Sequence, residues 1–323
     1  MKFIQQCKEI AQARSAKIVF PEGNDERILH ASKYLLDESI ANVVLLGDQR
    51  EIHQVARQSN ISLEGLEIVD PNTSGHLAGY AERYVLNRPR TKPAVASRIV
   101  SKPLGFGAMM VKAGDAELVV AGASHSTRRV IEAAGACIGL ADGTGTPSSF
   151  FVMTFTDRPP LIFADCAVNV DPSPSELADI AINSGASAEK LFGTPAKVAL
   201  LSFSTKGSAD HARVDKVKRA LEIAHERAPG LNIDGELQVD SALIASVAAQ
   251  KVGDSGTVAG EANVLVFPDL DAANIGYKLV KHLAHSEAIG PILQGFSLPV
   301  ADLSRGASVD EIINTSIVAL GLM

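Results

Sequence analysis

Tryptophan is absent from this 323-residue chain, aromatic residues make up only 5% of it, and three cysteines are scattered along its length. So few aromatics leave little for stacking on nucleic-acid bases. Cys7, Cys137 and Cys166 form neither a disulfide framework nor a metal-ligand spacing, a usage that fits a reducing compartment, so a cytoplasmic protein is expected. No apolar run approaches the ~18 residues needed to span a membrane. The amphipathic N-terminal stretch MKFIQQCKEIAQARS carries an acidic residue and has no apolar core of the secretory-signal kind. H-E-x-x-H and Cys/His clusters are missing, and His125 and His211 stand apart, so no metal site is expected. Neither G-x-x-x-x-G-K-[ST] nor a G-x-G-x-x-G following a strand occurs, which leaves a Walker loop and a dinucleotide fingerprint unsupported. A net charge of −7 disfavours nucleic acid and anionic membranes as partners, although local arginines still permit a small anionic substrate.

What the chain does contain is a regular alternation of strand and helix patterns. Its length exceeds one compact core, so two domains are expected. Lys17–Phe20 and Asn42–Leu46 are apolar strands separated by helical spacing at Ile28, Ala31, Leu35 and Leu36, a βαβ unit. A polar, proline-bearing stretch runs from Pro71 to Pro103, a helix is expected near Gly107–Ala113, and a buried strand at Glu117–Gly122 precedes a helix over Thr127–Cys137. The character changes at Gly143–Pro147, where a domain boundary is expected. Phe150–Phe155 and Leu161–Asp165 read as a hairpin. Ser173-Pro174-Ser175-Glu176 is a capping box with proline at the first helical position, opening a helix through Ile182. Strands at 198–203, 235–239 and 264–267 alternate with helices. The fold class is α/β with doubly wound layers, whose ligands sit beyond the carboxyl ends of the strands.

Several polar loops follow strands: Pro21–Arg27, Ala123–Thr127, Ser204–Ser208 and Pro268–Asn274. Arg27, Arg83, Arg128, Arg129 and Arg305 lie in or near such loops, and an arginine fork matches phosphate and carboxylate oxygens. Each taken alone is also what a solvated surface residue looks like. Ser204-Thr205-Lys206-Gly207-Ser208 offers hydroxyls and N–H groups to a phosphate, or is simply a glycine turn. Cys166 is a candidate nucleophile or a buried small hydrophobe. Glu236 and Asp240 are candidate catalytic carboxylates or helix caps. Near the C-terminus, PVADLSRGASVDEI places a hydroxyl and a guanidinium, Ser304 and Arg305, just before a capping box, Ser308-Val309-Asp310-Glu311. Helix N-termini favour anions, which makes this stretch the most suggestive in the chain.

FPEGNDERILHA, GAMMVKAGDAELVVAGASHST, ADCAVNVDPSPSELADIAI, SFSTKGSADHARVDKVKRA, DGELQVDSAL, GEANVLVFPDLDAANIGYKL and GPILQGFSLPVADLSRG occur in that order. Together they resemble the phosphate acetyltransferase (phosphotransacetylase) and phosphate butyryltransferase family. The resemblance implies two doubly wound α/β domains with an interdomain cleft, similar to isocitrate and isopropylmalate dehydrogenases. Domain I would be 1–145 plus 291–323, and domain II 146–290. It also implies a homodimer that moves an acyl group between acyl phosphate and coenzyme A, with no metal or cofactor, coenzyme A being a substrate. Within that resemblance Ser304 would hydrogen-bond the reacting sulfur, Arg305 would hold the phosphate, and Glu311 stands where the family has a general-base aspartate, with Asp310 as a competitor. Arg27 and Arg83 match substrate-contacting arginines. Glu132 stands where members often have arginine, with Arg128 or Arg129 one turn earlier as substitutes, and Ala301 replaces an asparagine. The implied chemistry is direct attack of the coenzyme A thiolate on acetyl phosphate in a ternary complex. A phosphate butyryltransferase and a non-catalytic acetyl-CoA-sensing homologue are the alternatives.

Overall fold

A computed structural model describes residues 2–253 and 257–323. They divide into two compact units, one running up to Asp142 and resuming at Phe296–Gly321, the other spanning Gly143–Gly295.

The first unit carries a parallel sheet in the order β3 (Glu67–Val69), β2 (Asn42–Leu46), β1 (Lys17–Phe20), β4 (Leu118–Ala121), β11 (Val300–Asp302). The runs IVF, VVLL and LVVA are apolar without alternation because both faces of these strands are buried, as parallel sheets require. Helices α1 (Lys2–Arg14), α2 (Glu26–Asp37), α3 (Gln49–Gln58), α7 (Thr127–Cys137) and α13 (Val309–Gly321) fill the connections. Asp25 starts α2 by accepting the Arg27 N–H, and Ile28, Leu29, Ala31 and Leu35 bury one face of that helix. The proline-bearing stretch is largely helical: α4 (Leu77–Asn87), α5 (Pro93–Val100) and α6 (Pro103–Ala113). Pro93 and Pro103 each open a helix, where a missing N–H leaves no bond unmade.

The second unit has strands in the order β10 (Glu287–Gln294), β5 (Ser148–Thr154), β6 (Leu161–Ala164), β9 (Val264–Val266), β7 (Val198–Leu201), β8 (Ile233–Leu237). The expected hairpin is the antiparallel β5–β6 pair, β10 runs antiparallel to β5, and the remaining pairs are parallel. Helices α8 (Pro174–Phe192), α9 (Ala212–Arg227), α10 (Val239–Leu243), α11 (Ala245–Lys251) and α12 (Leu270–Leu283) link them. The capping box at Ser173 forms as read, but α8 runs to Phe192 rather than Ile182. Gly185 lets Leu231 and Val198 pack against the helix, and Gly193 ends it with φ +62°. Phe151, Met153, Phe163, Leu201 and Leu265 centre this unit's core. Helix α12 keeps Ile275, Leu279 and Leu283 exposed at successive four-residue steps. No described helix is long and apolar enough to cross a membrane.

Candidate active site

In the first unit the chain leaves β1 toward β2, while β4 flanks β1 on the opposite side. The loops after β1 and β4 therefore diverge at a topological switch point, where open α/β sheets bind ligands. Three loops meet there: Pro21–Asp25, Gly122–Ser126 and Leu303–Ser308.

Glu22 organises the second of these loops. Its buried carboxylate accepts the N–H groups of Gly122, Ala123, Ser124 and His125 at 2.8–2.9 Å, the Ser124 hydroxyl at 3.0 Å, and meets His125 Nδ1 at 2.7 Å. Burial works against its ionisation, but the loop N–H groups and the His125 ring outweigh it and hold the carboxyl below its ordinary value. Gly122 has φ +113°, and a Cβ there would lie 2.6 and 2.7 Å from the Leu303 O and N and would strike Asp302 Oδ1. Only glycine lets the β4 and β11 loops come this close.

Asp302, fully buried at the end of β11, accepts the Thr127 hydroxyl on Oδ2 at 2.5 Å, while Oδ1 has no hydrogen-bond partner. Burial pushes its carboxyl up to about 7; the Thr127 hydroxyl works against this and the nearby Glu22 charge adds to it.

Beyond Asp302 the chain turns outward, and Ser304, Arg305 and Gly306 are exposed. Ser304 O accepts the Ala307 N–H at 2.9 Å and Ser304 Oγ accepts the Gly306 N–H at 3.3 Å. Among the described residues the Arg305 guanidinium makes no hydrogen bond or ion pair. The expected capping box opens α13: Ser308 N donates to Glu311 Oε2 at 2.8 Å and Glu311 N to Ser308 Oγ at 3.2 Å. Asp310 is exposed and Glu311 half-buried.

The other arginines fare differently. Arg27 joins this cluster, but through protein acceptors: Asp25 and the carbonyls of Ala123, Arg305 and Ala307. Arg128 pairs with Glu132 at 2.8 Å across one exposed turn of α7, a pair worth little in stability. The Arg129 guanidinium, on the same first turn, has no protein partner among the described residues. Arg83 is exposed on α4, and no hydrogen bond or ion pair links it to the 304–307 turn.

In the second unit the candidates are mostly structural. The Ser204–Ser208 loop satisfies itself: Ser204 Oγ donates to Glu236 at 2.9 Å, Ser208 Oγ accepts the Thr205 N–H at 3.0 Å, and Glu236 also accepts the Gly207 N–H at 2.7 Å. Lys206 and Gly207 have φ of +48° and +83°, and Lys206 Nζ is held by Asp234 and the Gly235 carbonyl. This is the glycine-turn reading, with Glu236 as its anchor. Asp240 accepts the Ser241 N–H and pairs with Lys251 at 2.7 Å. Cys166 is fully buried, donates weakly to the Phe163 carbonyl at 3.4 Å, and burial holds its thiol well above the ordinary value, so it is no nucleophile. Among the described residues no group of three or more His, Cys, Asp or Glu is placed to hold a metal ion.

Sequence reasoning passed over Glu22 and Asp302 as site-organising groups. Both stand at strand ends beside the expected motifs, but their burial, which gives them their role, leaves no mark in the residue pattern.

The chain is thus a doubly wound α/β protein with an exposed Ser-Arg turn beside a switch point, its Arg305 guanidinium without a protein partner among the described residues. The chain belongs to the family described as Phosphate acetyl/butaryl transferase, which matches residues 2–320. It is 46% identical to the phosphate acetyltransferase of Thermoanaerobacterium thermosaccharolyticum, over 97% of each chain. The EutD phosphotransacetylase from Staphylococcus aureus superposes with a TM-score of 0.92 at 37% identity, covering 99% of this chain and 98% of the other. A putative 4-hydroxythreonine-4-phosphate dehydrogenase from Salmonella typhimurium shares the fold at 11% identity, with a TM-score of 0.56 over 96% of this chain and 100% of its own, the dehydrogenase-like architecture expected from sequence.

Proposed function

We infer that this chain is a phosphate acetyltransferase that moves an acetyl group reversibly between acetyl phosphate and coenzyme A. The observation that carries this reading is the exposed Ser304–Arg305 turn, with a guanidinium that has no partner among the described residues, in a chain 46% identical to a phosphate acetyltransferase along nearly its whole length.

The proposed chemistry needs only groups this chain supplies, and coenzyme A is a substrate rather than a cofactor. Glu311 takes the proton of the coenzyme A thiol, and Ser304 orients the sulfur by a hydrogen bond. The thiolate attacks the acetyl carbonyl carbon, a C–S bond forms, and the C–O bond to phosphate breaks with its electron pair leaving on the phosphate. Arg305 neutralises charge on the phosphate and on the carbonyl oxygen as it develops. Arg129 and Arg83 have guanidinium groups available for the phosphates of coenzyme A, whereas Arg128 is drawn toward Glu132. Asp310 is the competing base. Glu311 is favoured because the capping box fixes its carboxylate at the N-terminus of α13.

The protein is proposed to act as a cytoplasmic homodimer. The exposed stripe Ile275–Leu279–Leu283 on α12 supports the dimer, since a helix seldom leaves three large apolar side chains in line toward water. The activity is tested by mixing purified protein with coenzyme A and acetyl phosphate and following thioester absorbance. Steady turnover is expected, faster with acetyl than with butyryl phosphate. Binding of acetyl-CoA without turnover would contradict the reading.

A further inference from the structure

Arg27 has no N–H left for a ligand. Nε and Nη2 fork onto the two Asp25 oxygens at 3.0 and 2.7 Å. Nη1 donates to the Arg305 and Ala307 carbonyls at 2.9 Å each, and the second Nη2 hydrogen goes to the Ala123 carbonyl at 2.9 Å. An arginine side chain has five donors, and these are five acceptors. For an anion to bind here, at least one of these bonds would have to break and leave a backbone carbonyl or a paired carboxylate uncompensated.

The placement of the acceptors matters as much as their number. Two of them are the carbonyls of Arg305 and Ala307, which flank Gly306 in a turn whose residues 304–306 are exposed; among the described residues its other hydrogen bonds are the Ala307 N–H to Ser304 O and the Gly306 N–H to Ser304 Oγ. Glycine places little steric restriction on that path. The guanidinium itself is fixed to α2, because Asp25 both caps that helix and forms the fork. The Ala123 carbonyl ties in the loop whose N–H groups Glu22 holds.

We propose that Arg27 is a positioning residue of the acyl transfer, a three-loop clamp that sets the backbone path of Ser304–Ala307 and so aims the Arg305 guanidinium and the Ser304 hydroxyl, and is not itself an anion ligand. This rests on the proposed acetyl transfer at Ser304 and Arg305. Lysine cannot replace such a clamp, because its donors radiate from one point and cannot reach three loops.

Arg27→Lys, Arg27→Gln, Asp25→Asn and the Asp25→Asn/Arg27→Gln double variant test the proposal, each checked for an unchanged circular-dichroism spectrum. Asparagine keeps the helix cap but removes the charged fork, and Asp25 offers nothing attractive to an anion. A catalytic group misplaced by about 1 Å can cost about a hundredfold in rate. Arg27→Lys is therefore expected to lose at least about tenfold in kcat, with KM for acetyl phosphate and the calorimetric Kd for coenzyme A within about twofold of wild type. Asp25→Asn should show the same kcat-only loss in weaker form, and the double variant should be no slower than Arg27→Gln. Should Arg27→Gln fold poorly, Asp25→Asn decides alone. A KM for acetyl phosphate raised about tenfold or more in Arg27→Lys with kcat retained, or wild-type kcat in Asp25→Asn, would overturn the proposal. Absence of acetyl transfer in the wild type would instead strike the functional reading on which it rests.

Discussion

Asp302 links the stability of the first unit to pH. The folded protein holds its carboxyl near 7 where the ordinary value is 3.8, so between those values the folded state keeps a proton that the unfolded chain releases. The stability tied to this group is complete at low pH and lost as pH rises toward 7. Asp302→Asn, neutral and nearly the same shape, removes that dependence. Urea denaturation is expected to show the variant gaining on wild type between pH 5 and pH 8, by an amount on the order of 2 kcal/mol. Parallel pH profiles for the two proteins would show that Asp302 does not carry a proton in the fold. Cys166 marks the opposite outcome at this scale. Its sequence context admits a nucleophile but favours a buried small hydrophobe, and full burial with a raised thiol agrees with the latter.

At the scale of elements, local chemistry was legible where it is local. Both capping boxes form as the residues specify, at Ser173 for α8 and at Ser308 for α13. Ser173→Ala is expected to lower stability by about 1 kcal/mol with kcat unchanged, measured by denaturant titration and by turnover. A loss of kcat there would mean that α8 shapes the site. Short strands such as β3 escaped notice because three residues carry no period, and β11 because PVAD reads as part of the approach to the Ser-Arg turn. The helix opened by Ser173 continues to Phe192, ten residues past the expected end at Ile182, with Gly185 giving Leu231 room to pack against it. Gly122 is the element-scale joint of the site. Gly122→Ala forces Leu303 backbone and Asp302 apart, so a loss of both stability and turnover is expected, read by thermal melting and kinetics. An alanine variant with wild-type melting and kcat would show that the β4 and β11 loops need no such close approach.

For the whole molecule, the α/β class followed from alternation of patterns, and the reaction class from seven segments in order. What the residue string did not convey was commitment: Arg27, Arg128, Arg129 and Arg305 look alike as letters. Only their partners separate a clamp, an ion pair and two cations without a partner among the described residues. The α12 stripe is expected to lie at a subunit contact. A specific interface covers about 800 Å² per partner, and three large apolar side chains in line form a natural centre for one. If the proposed homodimer forms through this stripe, Leu279→Glu places a charge in its centre and sedimentation is expected to show a dimeric wild type and a monomeric variant; a monomeric wild type, or an unchanged oligomeric state in the variant, would exclude α12 as the contact.

Arg305 stands at the centre of the proposed chemistry, and comparing acetyl-CoA formation from coenzyme A and acetyl phosphate in wild type and Arg305→Ala tests it most directly. The guanidinium makes no hydrogen bond or ion pair among the described residues, so removing it should leave folding intact. Loss of a group that stabilises developing charge costs about 10²–10³ in rate. Active wild type with at least that loss of kcat in a normally folded Arg305→Ala is the expected result. Wild-type turnover in Arg305→Ala would contradict it.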